Sequence, residues 1–306
     1  MSVRPLLLLF CVALPTCTDP SEAIYLTGDA VPSWKFSATV PEAYRTTSLN
    51  IVGGKAFTVE RDGLPGEPIT ASEASAKLGI SRRVIAIHGT MYDPAGKGRA
   101  NPHLTIYQVM RSKIAGRVRL TGIGWEAGGL GIESFRDAWA MGRMSVYGLA
   151  IENSTVVAER LSEVLARPER HFDFICHSIG CDIVRQLVRR GAAAPDHVLM
   201  LSPDTDYADM ARWARDTNTP VLHVTASTDG VLRFSQFASR NRDFLPPQEV
   251  GPYRSILLEV DHIFPGRSRW STDYVNPRRY LDHMATLETP RLWEMYLDFL
   301  DSPSSR

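Results

Sequence analysis

A serine hydroxyl becomes a nucleophile when a base can take its proton and a carboxylate can orient that base. The sequence offers all three. Ser178 stands in Cys176-His177-Ser178-Ile179-Gly180, after the apolar run Phe172–Ile175 and before an amphipathic stretch reaching Val188. The spacing matches the G-x-S-x-G nucleophile elbow, with Cys176 in place of the first glycine. A strand, a sharp turn and a helix would carry the serine at the tip of the turn. Chain must pack tightly beneath such a turn, so the positions two before, two after and three after the serine need small side chains. Cys176, Gly180 and Cys181 meet that requirement.

Three carboxylates follow apolar runs downstream. Asp229 comes just past Val221–Thr225 and is followed by Gly230 and two apolar residues, which suits a carboxylate on a tight turn with amides free to hold it. Asp204 and Asp206 follow His197–Leu201; turn and helix-cap chemistry explains them equally well. Two histidines compete as the base. His262 comes directly after the last apolar run, Ser255–Val260, and His283 opens DHMATLETPRLWEMYLDFL. His177 is expected to be structural, because an elbow points its neighbour away from the attacked carbon. The remaining histidines are scattered, without H-E-x-x-H or similar zinc spacing. No metal or cofactor is called for.

These residues need elements to position them. Val84–Ile87 is short, apolar and β-branched, as a strand buried on both faces would be. It leads into His88-Gly89-Thr90, where a glycine can turn an amide N–H towards a nucleophile. Val118–Trp125 fits the next strand, and the runs at 172–175, 197–201, 221–225 and 255–260 complete the set. Helical patterns fall between them: Leu104–Ile114, Ala150–Ala166 (Val156, Leu161, Val164 and Leu165 inward), the stretch after Ser178, and Pro290–Leu300 with Leu292, Met295, Tyr296 and Phe299 on one face. Strands alternating with helices predict a mostly parallel central sheet with helices on both faces, an α/β fold. Glu126–Gly148, rich in Gly, Met and aromatics, reads either as an insertion lining a cleft (Phe135, Trp139, Met141, Met144, Tyr147) or as plain core. Tyr92–Arg99 is a loop whose Gly96-Lys97-Gly98 lacks phosphate-loop spacing.

The chain has 306 residues, with Lys+Arg and Asp+Glu equal at 34 each. A neutral chain without a basic run argues against nucleic acid as a partner. Four cysteines imply no disulfide framework. Arg4, the apolar core Leu6–Leu14 and Pro15-Thr16-Cys17 read as a secretory signal over 1–17, too short to span a membrane. Leu14-Pro15-Thr16-Cys17 also resembles a bacterial lipobox, with Thr where Gly, Ala or Ser is usual; a lipidated Cys17 would tether the protein to a membrane. Export to the periplasm or cell envelope is therefore expected. Residues 18–80 read as an N-terminal extension packing on the main domain, with a β-hairpin and a helix at Ala71–Leu78 capped by Ser72. Residues 81–306 read as one catalytic domain with an insertion around 126–148.

From Val84 to Leu300 the chain resembles the α/β-hydrolase superfamily. The features Trp125, HSIG, LSPDTD and ASTDGVLRFS are similar to a bacterial group of uncharacterised α/β-hydrolases, the DUF900-like proteins. In many such proteins the catalytic histidine precedes an E-x-P helix start, as His283 precedes Glu288-Thr289-Pro290. The resemblance implies the α/β-hydrolase fold, Ser178 as nucleophile, Asp229 as acid and His283 as base. It further implies oxyanion donors from the backbone N–H of Thr90 and Ile179. It departs at Cys176. The implied activity is cleavage of small-molecule esters by acyl transfer without a cofactor. A thioesterase or amidase would use the same triad, and a non-catalytic binding protein of the cell envelope would share the fold.

Overall fold

A computed structural model describes residues 39–79, 81–89, 101–127, 146–166, 171–192, 194–226, 229, 232, 251–258, 283, 285–288 and 290–304. Nine strands form one sheet: β1 (Leu49–Val52), β2 (Lys55–Val59), β3 (Pro65–Ile69), β4 (Arg83–Ile87), β5 (Arg119–Trp125), β6 (Phe172–His177), β7 (Val198–Leu201), β8 (Val221–Ala226) and β9 (Tyr253–Leu258). Their order is β3-β2-β1-β5-β4-β6-β7-β8-β9. From β1 to β9 every neighbouring pair is parallel, while β1-β2 and β2-β3 are antiparallel.

The helices are α1 (Glu42–Arg45), α2 (Ala71–Leu78), α3 (Ile106–Ile114), α4 (Val146–Leu165), α5 (Gly180–Arg189), α6 (Tyr207–Thr217), α7 (Ala285–Glu288) and α8 (Pro290–Leu300). Alternation along β4 shows why both faces are covered. Ile85 and Ile87 join one core with residues of α2, α4, α5 and α6. Val84 and Ala86 point the other way, into a core with α3 and α8. With side chains alternating at period two, a strand buried on both sides needs a near-continuous apolar run, here Val84–Ile87 after Arg83, whose Nη1 donates to Thr121 Oγ1 at 2.8 Å. β4 is buried at all five positions.

The segment 18–80 contributes β1 and β2 as a hairpin, and β1 pairs in parallel with β5, so these strands continue the central sheet. Two details differ from the sequence-based expectations. Thr70, not Ser72, caps α2: its side chain accepts from Glu73 N–H at 3.2 Å, and the Glu73 carboxylate accepts from Thr70 N–H at 2.7 Å. This is the reciprocal capping box, and Ser72 lies inside the helix. On α4, Val156 is 41% exposed and Val157 is buried. A valine pair gives the inward face no chemical preference, and the helix phase decides.

The strands run parallel, so their carboxyl ends share one edge. Gly89, Ser178, Ser202 and Asp229 all lie on connections leaving that edge, after β4, β6, β7 and β8. Open α/β sheets place their ligands there. No described helix is long and apolar enough to cross a membrane.

Candidate active site

Ser178 occupies the turn between β6 and α5 with φ 55°, a left-handed conformation that a non-glycine residue adopts only when its surroundings enforce it. The enforcing contacts are visible. Ser178 N–H donates to the Leu201 carbonyl at 3.0 Å, and the Ser178 carbonyl accepts from Cys181 N–H and Asp204 N–H, each at 3.0 Å. Below the turn, space is closed. A side chain on Gly180 would stand 2.8 Å from the Ile87 carbonyl oxygen and collide with that of His88. A side chain on Gly89 would collide with Ser178 Cβ and lie 3.1 Å from His177 Nδ1. Both glycines are required by this approach of β4 to the elbow.

Ile179 is the N-cap of α5, and its N–H has no intrahelical acceptor, as at any helix start. That N–H and the positive end of the helix dipole stand beside Ser178. Asp182, in the first turn of α5, is held by Arg185 at 2.8 Å, Gln186 at 3.0 Å and Thr205 at 3.2 Å, which ties the helix start to the β7–α6 connection.

Asp229 is fully buried after β8. Its Oδ1 accepts from Leu232 N–H at 3.0 Å and its Oδ2 from His283 Nδ1–H at 2.8 Å. Both carboxylate oxygens are therefore occupied and the His283 tautomer is set: Nδ1 carries the proton. His283 Nε2 is buried and makes no hydrogen bond. The backbone around His283 is braced as well. Thr286 Oγ1 meets Ser202 Oγ at 3.1 Å, and the Thr286 carbonyl accepts from Tyr296 Oη at 2.7 Å.

His177 does more than fill space. Its Nε2–H donates to the His283 carbonyl at 3.2 Å, and the two rings lie 4.7 Å apart. Its Nδ1, facing Gly89, is buried without a partner. Burial, with His283 close by, pushes the His177 pKa down to about 3, so the ring stays neutral. The contact spans 106 residues of sequence, and no local signal could have announced it.

His88 is similarly fixed. Its Nε2 accepts from Trp125 N–H at 3.1 Å, so Nδ1 carries the proton and donates to the Gly89 carbonyl at 2.8 Å. The His88 carbonyl accepts from Trp125 Nε1–H at 2.9 Å, its N–H donates to Tyr107 Oη at 3.0 Å, and the Trp125 ring stacks on it. Burial lowers its pKa to about 3.

Asp204 and Asp206 have other visible bonds: Asp204 N–H holds the Ser178 carbonyl at 3.0 Å and Asp206 caps α6 through Asp209 N–H at 2.9 Å. Thr90, His262, the loop 92–99 and the insertion residues 128–145 lie outside the described residues, as do Cys17 and the rest of 1–38.

The structure also joins the two cysteines whose small size suits the elbow. Cys176 and Cys181 form a disulfide across the elbow, with Cα atoms 4.9 Å apart. A pair five apart in sequence carries no spacing signature, and only the turn geometry brings the sulfurs together.

A second Asp–His–Ser array lies at the opposite, amino-terminal edge of the strands. Asp173 Oδ1 meets His197 Nδ1 at 2.7 Å, and His197 Nε2 meets Ser302 Oγ at 3.2 Å. Ser302 O–H, however, donates to the Phe299 carbonyl at 2.6 Å, and Arg82 pairs with Asp173 at 3.1 Å. The hydroxyl proton faces away from the base and the serine is on no strained turn, so this array fastens the end of α8 to the sheet.

The parallel sheet, its two helix layers and the elbow after β6 make this an α/β-hydrolase fold. No family model matches the chain. No curated protein matches it. Among solved structures it is similar to carboxylesterase CesB (YbfK) from Bacillus subtilis, at 11% identity and TM-score 0.37 over 73% of this chain and 84% of that one. It is similar to TT1662 from Thermus thermophilus at 17% identity and TM-score 0.39, over 72% and 88% of the two chains. It is also similar to olei00960, a hydrolase from Oleispira antarctica, at 9% identity and TM-score 0.37, over 73% and 93%. At such values the fold assignment rests on this chain's own strand order and elbow.

Proposed function

We propose that the protein is a serine hydrolase that cleaves carboxylic esters through an acyl-enzyme on Ser178. The observation carrying this reading is the Asp229–His283 hydrogen bond of 2.8 Å, which leaves His283 Nε2 unprotonated and unbonded at the sheet edge where the elbow presents Ser178. Catalytic hydrogen bonds are often long until a substrate aligns them, so the unbonded His283 Nε2 is compatible with a base role.

In the proposed mechanism, Ser178 Oγ attacks the ester carbonyl carbon as its proton passes to His283 Nε2. Asp229 stabilises the imidazolium without taking its proton. The Ile179 N–H and the Thr90 N–H hold the oxyanion, each donor contributing about 3 kcal/mol. Collapse expels the alcohol with the proton from His283, and a water activated by the same nitrogen releases the acid. Thioesters and amides would follow the same steps.

We assign the protein outside the cytoplasm on the Arg4 and Leu6–Leu14 pattern, with Cys17 as a lipid attachment point.

Fluorophosphonate labelling, read by intact mass and peptide mapping, tests the reading. A single adduct on Ser178, absent from Ser178→Ala, is the expected result, and an ester panel follows. No adduct on folded protein overturns it.

A further inference from the structure

We infer that the Cys176–Cys181 disulfide is a positioning brace for Ser178, closed once during folding in an oxidising compartment. The inference rests on the reading of Ser178 as a nucleophile.

The bond encloses His177, Ser178, Ile179 and Gly180, which is the whole elbow together with the proposed Ile179 donor and the residue that holds His283. The hydrogen bonds that tether the elbow run to the β7 end and to the β7–α6 connection. Both cysteines belong to the buried core on the α5 side of the sheet, the one that also holds Phe174, Ile183 and Val184. The two sets of ties therefore grip the turn from different sides. A cross-link over so few residues removes little freedom from the unfolded chain as a whole, so its global stabilising effect is at the small end. Its local effect is larger, because it joins the strand end to the first helical turn across a left-handed serine.

Both cysteines are completely buried. Thiol–disulfide exchange needs a thiolate in line with a disulfide sulfur, so neither formation nor reduction can proceed through the folded core. The bond must form before the core closes. Two thiols and one disulfide of an oxidant, a dithiol–disulfide exchange protein or glutathione disulfide, yield the Cys176–Cys181 bond and two oxidant thiols, with two electrons passing to the oxidant. Such conditions are found outside the cytoplasm. The brace is thus a maturation step and not a reversible switch.

The test compares three samples: wild type refolded with glutathione disulfide, wild type refolded with excess reductant, and a Cys176→Ala/Cys181→Ala variant. Alkylation and mass mapping report the bond. Fluorophosphonate labelling, resolved into a binding constant and a first-order inactivation rate, reports positioning. In the oxidised sample the two cysteines should resist alkylation after reductant is applied to native protein, and become alkylated when it is applied to unfolded protein. Inactivation should be about tenfold to a hundredfold slower in the reduced sample and in the variant, with the binding constant unchanged. The reduced wild type keeps every core atom, so it answers the question if the alanine variant fails to fold. Free, alkylatable cysteines in the oxidised sample, or equal inactivation rates in all three, would overturn the inference. An intact bond with no labelling in the oxidised sample would overturn the hydrolase reading and the reactivity effect with it, while leaving the bond itself established by the alkylation.

Discussion

His177 Nε2–H holds the backbone carbonyl of His283 at 3.2 Å, and the two rings lie 4.7 Å apart. The residue preceding the proposed nucleophile therefore fixes the main chain of the proposed base. His177→Phe keeps the ring and deletes the bond. It should lower kcat for an ester about tenfold to a hundredfold with little change in KM, since the substrate site is intact while His283 is less well placed. His177→Gln, which keeps an N–H donor, should recover part of the loss. Steady-state kinetics on both variants check this, and equal activity of His177→Phe and wild type would remove His177 from the positioning role.

Asp229 and Asp204 are separated by their partners. Asp229 engages His283 Nδ1 with one oxygen and Leu232 N–H with the other, whereas Asp204 N–H holds the Ser178 carbonyl through the main chain. Asp229→Asn presents the wrong partner to Nδ1–H and should reduce kcat about 10⁴-fold with the fold preserved. Asp204→Asn leaves the main-chain bond in place and should retain activity within about tenfold. Side-by-side kinetics with circular dichroism decide between them, and the reverse order of losses would transfer the acid role to Asp204.

The carboxyl-edge arrangement was legible because it is written in short-range patterns. Apolar runs mark strands buried on both sides, and residues just past them must lie at one edge when strands are parallel. Gly89, Ser178 and Asp229 were found that way. Contacts made across the sheet edge were not legible. The His177–His283 bond and the Thr286–Ser202 contact join residues 106 and 84 apart. The choice between Val156 and Val157 depends on helix phase, and the Cys176–Cys181 bond on turn geometry. None of these leaves a composition or spacing trace.

The amino-edge array offers an internal control. Ser302 resembles a triad serine in its contact with His197, yet its proton is committed to the Phe299 carbonyl. Ser302→Ala should leave fluorophosphonate labelling unchanged in rate and site, and should cost about 1 kcal/mol of stability by removing the hydroxyl's bond to the Phe299 carbonyl and its contact with His197. Labelling and thermal melts on one preparation read both effects. Loss of labelling in Ser302→Ala would mean that the reactive serine had been misassigned.

Acid should unfold this protein early. Burial pushes His88, His103, His177 and His223 each down to about 3, so all four stay neutral in the fold below their ordinary value of 6.5. In the unfolded chain they protonate near 6.5. Between about pH 6.5 and 3 the unfolded state therefore binds more protons, and stability falls as pH falls. Above 6.5 these groups contribute no pH dependence, because both states are neutral. The slope of unfolding free energy against pH should approach that of four protons near pH 5, each worth about 1.4 kcal/mol per pH unit. His223 bonds to Tyr253 at 2.8 Å and packs against Tyr207, with no described contact to the proposed triad, so His223→Gln should lower that slope by one proton without altering labelling at neutral pH. Denaturant titrations between pH 4 and 8 measure it, and a stability that stayed flat down to pH 4 would show that these histidines are protonated in the folded protein.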